Sequence, residues 1–494
     1  MPPVPERPAA FRACDVAVVG AGPAGLAAAA QAARAGARTL CLDLYAMPGG
    51  QYAMQSADPT NVLQESPAAR LGRAAAAEAR EAGAELLAGC ELFWAVAVAD
   101  GYMLYAAAQG GADALAIHAR SVVVASGAME RPMPFPGWTL PGVIGAGAAQ
   151  RLLKGGPAGA ALPFSGNVVL AGTGAFLLAV AATFAKAGQP VAAFVERQPL
   201  RPGRTLAALA RYPERWAEAL ALVRCLSRTG AQRHFGHLVT RAIGTDRLEA
   251  VEIAPVGPDG QADPRRARVI EGVGALCVGY GFQPVIDVTT ALGARHAYDL
   301  LLGGWYCQTD PATGKTDRPG LFAAGEVCGI GGMRPATLSG QIAGHHAACA
   351  AAGRAPDAAL VAPLGVALAR ARAFAAALAR LYPQPSRLPV PLAEDEIICR
   401  CEDVRLGDIR AAVRQGATDA LAVKMWTRAG MGPCQGRVCG AGLSAVLLSE
   451  AGVPPTAFGY NRAHLPLRPV PLSVLRAAIS SRDGVPGDRE KETG

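Results

Sequence analysis

Residues 15–25 read DVAVVGAGPAG, and this stretch decides the fold of the N-terminal part of the chain. It runs from small and β-branched residues into Gly-x-Gly-x-x-Gly, and an alanine-rich helical pattern follows at once from Leu26 to Ala35. In such a strand–turn–helix unit the first glycine permits the turn, the second admits a pyrophosphate, and the third lets the helix pack closely on the strand. Free N–H groups at the start of the helix also attract phosphate. We therefore expect a dinucleotide to bind along Gly20, Gly22, Pro23, Ala24 and Gly25.

A carboxylate stands at the distance that this unit requires. A second strand pattern, Thr39 to Leu42, ends in Asp43, eighteen residues after Gly25, where an acidic side chain binds an adenosine ribose. Three later places fit the same site: a glycine turn soon after the acid, the small residues that end a buried strand at 121–124, and an acid that ends a strand beginning at Leu321. The predicted cofactor is FAD, and these places would line it through Gly50, Gln51, Ser126, Gly127, Gly325 and Glu326.

A second strand–turn–helix pattern begins with NVVLAGTGAFL at residues 167–177. The next strand, Val191 to Val195, ends in Glu196, but Leu177 stands where the third glycine would be. A leucine there should hold the helix farther from the strand. The pattern predicts a second Rossmann-like unit, whose ligand stays open between NAD(P), another adenine nucleotide and none. Its candidate binding residues are Gly172, Gly174 and Glu196.

Four of the twelve cysteines lie close together near the C-terminal end. They form Cys-x-Cys and, after thirty-two residues, Cys-x4-Cys. Four thiolates in two loops suit zinc or a [2Fe–2S] cluster. Zinc ribbons use two Cys-x2-Cys knuckles, a spacing found in neither half, and the helical pattern between the halves also argues against a ribbon. The spacing favours a [2Fe–2S] cluster over zinc or metal-free thiols, with Cys399, Cys401, Cys434 and Cys439 as ligands.

The composition of the chain and the absence of several motifs exclude some classes of function. The net charge of +8 comes from arginines spread along the whole chain, and no basic run carries interleaved aromatic residues, so nucleic-acid binding is not expected. The first ten residues have no apolar core of an export signal, and the uncharged stretch Val168 to Ala185 opens like a strand and contains glycines, which favours a buried βα unit over a membrane span. We expect a cytoplasmic protein, with peripheral membrane association left open. No redox dithiol, hydrolase, zinc-protease or Walker motif accompanies the flavin motifs, so no catalytic residue is assigned.

The order of these patterns predicts an α/β flavoprotein with two dinucleotide-binding domains and a small all-helical [2Fe–2S] domain. The FAD-binding domain is split by an inserted NAD(P)-like Rossmann domain, and a helix with a proline-rich linker precedes the cysteines. The predicted boundaries are 1–150 and 286–355 for the FAD-binding domain, 151–285 for the inserted domain, 356–395 for the helix and linker, 396–455 for the [2Fe–2S] domain and 456–494 for a C-terminal tail.

Five motifs together carry a resemblance that covers nearly the whole chain. They are Gly20 to Gly25, Ser126 to Pro132 with Pro136 to Val143, Ala324 to Val327 with Gly329 to Gly332, Cys399 to Asp403, and Thr427 to Gly436. The chain resembles the larger FAD-containing electron-transfer subunit of heteromeric amine and amino-acid dehydrogenases. This group includes the B subunit of hydrogen cyanide synthase, the A subunit of opine oxidases, and the α subunit of proline and D-hydroxyproline dehydrogenases. The two cysteine motifs look like the helical ferredoxin domain related to bacterioferritin-associated ferredoxin.

The resemblance implies a catalytic partner. A separate FAD-dependent subunit with an amino-acid-oxidase-like fold would oxidise an amino acid or secondary amine of the D-hydroxyproline, opine, proline or glycine type. A small ferredoxin-like subunit can accompany it. This chain would then pass the electrons through FAD and [2Fe–2S] to a quinone or another respiratory acceptor, with no side chain acting as acid or base. Two alternatives stay open: a self-sufficient NAD(P)H-dependent reductase, and a nucleotide-binding structural subunit.

Overall fold

The computed structural model describes residues 10–56, 58–108, 114–156 and 166–480. The first part of the chain forms β1 (Ala10–Val19), α1 (Pro23–Arg34), β2 (Thr39–Asp43), α2 (Pro67–Glu81), β3 (Glu85–Ala88), β4 (Cys90–Val98), β5 (Gly101–Ala108), β6 (Ala114–Val124) and β7 (Ala128–Glu130). The next part forms β8 (Val143–Gly145), α3 (Ala146–Gly155), β9 (Asn167–Gly172), α4 (Ala175–Lys186), β10 (Ala193–Glu196), α5 (Pro202–Ala210), α6 (Trp216–Arg228), β11 (Gln232–Phe235), β12 (His237–Ile243), β13 (Ala250–Pro255), β14 (Arg268–Glu271) and β15 (Val273–Gly279).

The chain then returns towards the first unit. It forms β16 (Phe282–Pro284), α7 (Asp287–Ala291), β17 (His296–Asp299), β18 (Gly304–Cys307), β19 (Leu321–Ala323), α8 (Met333–Ala351) and α9 (Ala358–Leu381). The C-terminal part contains β20 (Ile397–Cys399), β21 (Val404–Arg405), α10 (Leu406–Arg414), α11 (Ala420–Thr427), α12 (Gly440–Ala451), α13 (Pro455–Phe458) and α14 (Leu472–Ser480). Short 3-10 turns lie at Pro213–Arg215, Pro264–Arg266, Leu300–Leu302 and Gly325–Cys328.

The first sheet has the strand order β3-β2-β1-β6-β5-β4, and β19 pairs with the C-terminal end of β6. Strands β3, β2, β1, β6 and β19 run parallel to one another, whereas β5 is antiparallel to both of its neighbours, β6 and β4. The buried strand expected at 121–124 is the end of a longer strand, β6, because β1 starts at Ala10 and pairs with β6 from Leu115 to Val124.

Helix α8 crosses α1 at very short range, and small residues make this possible. A Cβ added to Gly340 would lie 2.1 Å from the carbonyl oxygen of Ala24, and one added to Gly344 would lie 2.2 Å from that of Ala28. The packing brings the start of α1 next to the loop that follows β19. The glycine loop after β1 and the acid that ends the strand beginning at Leu321 therefore meet at one edge of the sheet.

The second sheet is entirely parallel, with the order β11-β10-β9-β15-β8. An antiparallel sheet of β12, β13 and β14 accompanies it, and the strand pair β7–β16 connects the unit to the first. The predicted boundary at residue 150 falls inside α3. The unit begins earlier because β8 already pairs with β15, a contact between residues more than a hundred positions apart that local pattern does not reveal.

The cysteine domain is helical as predicted, and its first cysteine loop also contains the short antiparallel pair β20–β21. The segment predicted as a tail is not free in its described part: the N–H of Leu467 donates to the carbonyl of Phe93 at 2.7 Å, and Val474 is buried against the first sheet. The apolar residues of α14 bury the outer face of β4 to β6, which the sequence leaves uncovered.

Helix α9 is the one helix within the described residues that is long and apolar enough to cross a membrane by length and composition. Only 11% of its most apolar window is buried in the protein.

Candidate flavin and iron–sulfur sites

The glycine loop between β1 and α1 has the close contacts that its motif predicts. A Cβ on Gly25 would lie 1.6 Å from the Gly20 carbonyl oxygen, and one on Gly20, where φ is +104°, would lie 2.5 Å from the Ala125 oxygen. Gly22 stands at the N-cap of α1 and provides no side-chain cap. The first N–H groups of the helix are therefore left for a ligand, as a phosphate site requires.

Asp43 braces this loop. Its Oδ2 accepts a hydrogen bond from the Ala21 N–H at 2.5 Å and its Oδ1 accepts one from the Tyr45 N–H at 2.7 Å. Burial raises the pKa of Asp43, and the two N–H donors oppose that shift. The carboxylate lies at the end of β2 as predicted, directly beside the glycine loop.

The turn after Asp43 packs on the glycine loop. A Cβ on Gly50 would lie 2.9 Å from the Gly22 Cα. The Gln51 Nε2 donates to the Tyr45 hydroxyl at 2.8 Å, and the Arg151 guanidinium lies over the Tyr45 ring with its carbon 4.4 Å from the ring centroid. Tyr45 and Arg151 are site residues that the sequence did not single out. Arg151 lies on α3, far from Asp43 in sequence, so no local pattern could identify it. Tyr45 could be noticed only as an aromatic residue close after the acid.

The Ser126 side chain makes a hydrogen bond that connects two parts of the fold. Its hydroxyl donates to the carbonyl of Val285 at 2.6 Å, which ties the end of β6 to the strand that returns from the second unit. Gly127 follows with a φ of +75°, a backbone conformation that L side chains rarely adopt. The two residues thus form the crossover between the units beside the predicted cofactor groove.

Glu326 lies where β19 meets α8. Its Oε1 accepts from the Gly332 N–H at 3.0 Å, and the Gly331 N–H is a second donor. Burial raises the pKa of Glu326 despite these donors. A Cβ on Gly325 would lie 2.7 Å from the Ala24 Cβ, so the acid and the N-terminal glycine loop are neighbours. A cavity of about 390 Å³ opens beside Glu326.

The acid of the second unit is occupied by its own loop. The Glu196 Oε1 accepts from the Thr173 hydroxyl at 3.0 Å and from the Gln198 N–H at 2.8 Å, and the Oε2 accepts from the Gly174 N–H at 3.0 Å. Burial raises the pKa of Glu196 to about 7. Leu177 is fully buried in the core beneath the loop. Gly172, Gly174 and Glu196 come together as the pattern suggests, with the carboxylate already engaged by protein donors.

The four clustered cysteines converge although their two loops are far apart in sequence. Cys399 contacts Cys439, Cys439 contacts Cys434, and Cys434 contacts Cys401. Within the described residues, no three His, Cys, Asp or Glu side chains are arranged to hold a single metal ion. The sulfurs form a chain of contacts instead, a donor set that suits a cluster with more than one metal.

Neighbouring hydrogen-bond donors lower the pKa of two of the four thiols. The contact with Cys439, together with N–H groups that include that of Gly430, lowers the pKa of Cys399 to about 6. The Cys434 thiol has its pKa lowered to about 5, by Cys439 first and then by N–H groups that include that of Gly436. The Cys439 pKa is raised, because its contacts with Cys399 and Cys434 favour its thiol form. A bound cationic centre would let all four sulfurs ionise together, so this donor set fits an iron–sulfur cluster.

Backbone strain in the described residues also concentrates here. The non-glycine residues with positive φ are Asp403 at +51°, Arg428 at +67° and Gln435 at +49°, and all three lie in or beside the cysteine loops. Such conformations cost free energy and persist where the surrounding structure holds them, as at binding sites.

Arg437 joins the second cysteine loop to the first unit. Its Nε forms a buried ion pair with the Asp287 carboxylate, and its Nη groups donate to the carbonyls of Cys434 at 3.2 Å and Leu467 at 2.9 Å. In return, the Gln283 Nε2 donates to the Arg437 carbonyl at 2.7 Å. The loop is therefore fixed to the connecting strand β16 and to α7.

Comparison with known proteins agrees with this architecture. The profile of the family described as pyridine nucleotide-disulphide oxidoreductase matches residues 14–362. This chain belongs to that family. A second profile, the BFD-like [2Fe-2S] binding domain, matches residues 397–448, which contain all four clustered cysteines. The two domains imply FAD and a [2Fe–2S] cluster as the cofactors.

Individual relatives extend the match along the chain. It is 34% identical over 360 residues to hydrogen cyanide synthase subunit HcnB of Pseudomonas aeruginosa, across 72% of this chain and 75% of the relative. It is 32% identical over 516 residues to the opine oxidase A subunit of Agrobacterium tumefaciens, across 97% and 96%. The structure of L-proline dehydrogenase from P. horikoshii has the same fold, with a TM-score of 0.68, 20% identity, and coverage of 95% of this chain and 81% of that one.

The structure also places two cysteines near each other that the sequence analysis did not identify as a pair. Cys307 and Cys328 both line the cavity beside Glu326, although they are twenty-one residues apart. Burial raises the pKa of Cys328 to about 11 and that of Cys307 further. Thiols held in this protonated form are poor nucleophiles, so these contacts do not favour dithiol–disulfide exchange.

Proposed function

We propose that this chain is the electron-transfer subunit of an enzyme that oxidises an amino acid or a secondary amine. The observation that carries the proposal is the combination, in one chain, of a flavin-binding fold with four converging cysteines that are anchored to it through Arg437 and Asp287. The near full-length similarity to the opine oxidase A subunit supports the substrate class.

The flavin would lie along the loop from Gly20 to Gly25, with Asp43 at its ribose and Glu326 near its ribityl chain. In this assignment Gly50, Gln51, Ser126, Gly127 and Gly325 line the groove. The cluster would be held by Cys399, Cys401, Cys434 and Cys439. A flavin can exchange two electrons or one, whereas the cluster exchanges one, so the pair divides a two-electron oxidation into single steps. The residues of this chain bind and orient the two centres and keep them at a fixed separation.

The partner would be a catalytic subunit that breaks the C–H bond next to the amine nitrogen. This inference rests on relatives that are themselves named as subunits. A small ferredoxin-like subunit could join them, and a quinone would accept the electrons. We place the complex in the cytoplasm, with peripheral contact to the membrane that contains the quinone.

We infer that the second Rossmann-like unit has a structural role and does not oxidise NAD(P)H. The Glu196 carboxylate accepts hydrogen bonds from its own loop, as Asp43 does in the first unit. The difference lies at Leu177, which stands where the dinucleotide fingerprint has its third glycine and fills the core beneath the loop. We therefore propose that the unit holds an adenine nucleotide weakly or remains without a ligand, and that electrons arrive from the partner subunit.

Quantification of the cofactors tests the proposal. The purified chain should contain one FAD per chain, with two irons and two acid-labile sulfides. Reduction with dithionite should produce the EPR signal of a reduced [2Fe–2S] cluster and bleach the flavin. A preparation that contains zinc in place of iron, or that binds no flavin after reconstitution, would contradict the assignment.

A further inference from the structure

Asn461 is a half-buried residue, and the hydrogen-bonding groups of its side chain are unused. Neither its Nδ2 nor its Oδ1 has a partner among the described residues, although both atoms are shielded from solvent. A shielded polar group without a hydrogen-bond partner destabilises the folded state. By contrast, the Asn61 Nδ2 donates to the carbonyls of Leu153 at 3.1 Å and Gly156 at 2.7 Å. The amide of Asn461 thus lacks the partner that a buried amide requires.

Glycines of the cysteine loops make room for this amide. A Cβ on Gly436 would lie 2.4 Å from the Asn461 Nδ2, one on Gly430 would lie 2.9 Å from it, and one on Gly440 would lie 3.9 Å from it. Gly436 and Gly430 have φ angles of +85° and +87°. The glycines around Cys434 and Cys439 therefore serve two purposes: they turn the chain, and they admit the Asn461 nitrogen to the loop.

The same two glycines provide N–H groups to cysteine sulfur. The Gly430 N–H donates to Cys399, and the Gly436 N–H donates to Cys434. The Asn461 Nδ2 occupies the space that a Cβ on either glycine would need, so it lies beside the loops whose backbone donors converge on sulfur.

The segment that carries Asn461 is anchored on both sides. The Trp305 Nε1 donates to the Gly459 carbonyl at 3.0 Å, the Gln435 Nε2 donates to the Pro466 carbonyl at 3.0 Å, and the His464 N–H donates to the Gln435 Oε1 at 2.8 Å. Because Gln435 is itself in the cysteine loop, these bonds hold the segment 459–467 against that loop.

We propose that the Asn461 side-chain amide donates a hydrogen bond to sulfur of the iron–sulfur cluster and raises its reduction potential. Hydrogen bonds to the sulfurs stabilise the more negative, reduced state of a cluster, so a donor makes reduction easier. The inference rests on the proposed cysteine ligands, and it adds to them a residue outside the matched cysteine domain, which ends at residue 448. Asn461 acts as a tuning and positioning residue, and the cysteines alone hold the cluster.

Selective isotope labelling gives a direct test, because the chain has only three asparagines, Asn61, Asn167 and Asn461. The full chain is prepared with asparagine that carries nitrogen-15 only at the side-chain amide, and the reduced cluster is examined by pulsed EPR. We expect a nitrogen-15 hyperfine coupling in the wild type that is lost in Asn461→Leu. A [2Fe–2S] signal without this coupling, or a coupling that persists in the variant, would overturn the inference. If no [2Fe–2S] signal appears at all, the proposed ligand set fails together with it.

The reduction potential provides a second readout on the same proteins. Asn461→Leu should shift the cluster potential to a lower value while iron content stays unchanged. Arg462→Gln is the matched control, because it removes an exposed charge at the next position and solvent screens such charges. A potential that is unchanged in Asn461→Leu, or that falls equally in Arg462→Gln, would contradict donation by the amide.

Discussion

At the scale of single residues, the cysteine site depends on contacts among sulfurs and backbone N–H groups. Contact with the Cys439 thiol is the first cause that lowers the pKa values of the Cys399 and Cys434 thiols, so these two lose their protons more readily than an isolated cysteine. Deprotonated thiols are the form that binds metal, so this loop geometry favours cluster assembly.

Cys434→Ser should abolish the visible absorption and EPR signal of the cluster while FAD stays bound. The reason is that Cys434 contacts both Cys401 and Cys439 at the centre of the chain of sulfurs. The measurement is iron content and EPR amplitude alongside flavin content. Cys225→Ser, at a half-buried cysteine on α6, is the control and should keep all three. A normal [2Fe–2S] signal in Cys434→Ser would reject this ligand.

His296 predicts how stability changes with pH. Burial lowers its pKa from 6.5 to about 4, so the unfolded chain binds a proton between these values and the folded chain does not. Stability should therefore fall as the pH drops below 6.5, by about 2 kcal/mol from this residue when the pH reaches 5. His296→Gln should lose that part of the decrease, measured as the difference in melting temperature between pH 7 and pH 5 for both proteins. An equal decrease in the variant would argue against a neutral buried histidine.

At the scale of elements, the contact of α8 with α1 holds the flavin loop to the acid after β19. Gly340→Ala should destabilise the first unit by about 1–3 kcal/mol and weaken FAD retention, because the new Cβ would meet the Ala24 carbonyl. Thermal unfolding and flavin content measure the effect. Gly365→Ala on α9 is the matched control, since nothing lies within 4 Å of its Cβ position and alanine favours a helix. Equal stability of the two variants would mean that α8 can shift away from α1 without loss.

At this scale, the features that the sequence could predict are those whose signal lies within a short stretch of residues. The glycine loops, the acids at strand ends and each of the two cysteine pairs are contained in a few consecutive residues, so the sequence alone could indicate them. The pairing of β8 with β15, the continuous strand β6 and the coverage of the first sheet by α14 depend on partners far away in sequence. No local period identifies such partners.

The same limit applies to the candidate sites. Asp43 and Glu326 could be selected because an acid at a strand end is a local signal. Arg151 over Tyr45, the ion pair of Arg437 with Asp287, and Asn461 beside the cysteine loops could not, because each joins segments from different parts of the chain. These contacts between distant segments position the flavin and cluster sites, whereas the local motifs indicate only that such sites are present.

At the scale of the whole molecule, one buried ion pair anchors the cluster loop to the flavin-binding unit. Arg437→Leu would leave Asp287 with only the longer contact to Arg468, at 3.5 Å. Loss of one partner of a buried pair costs about 3–5 kcal/mol, so the cysteine loop should move more freely. We expect transfer from reduced flavin to the cluster to slow at least several-fold while both cofactors are retained, as followed by rapid-mixing absorbance.

Arg410→Ala is the control for this variant. Arg410 pairs with Glu450 at 2.8 Å on the outside of the cysteine domain, so its loss should leave the transfer rate unchanged. If Arg437→Leu transfers electrons as fast as the wild type, the ion pair does not set the separation of the two centres.

The central claim is that electrons enter this chain from a partner subunit and not from NAD(P)H. The most direct measurement adds NADH, then NADPH, and finally dithionite to the isolated chain without oxygen, and follows the visible flavin absorbance. We predict that neither nucleotide bleaches the flavin on the timescale of turnover and that dithionite does, because Leu177 stands where a dinucleotide-binding loop has its third glycine and is fully buried beneath that loop. Rapid bleaching by either nucleotide would contradict the account and identify the chain as a self-sufficient reductase.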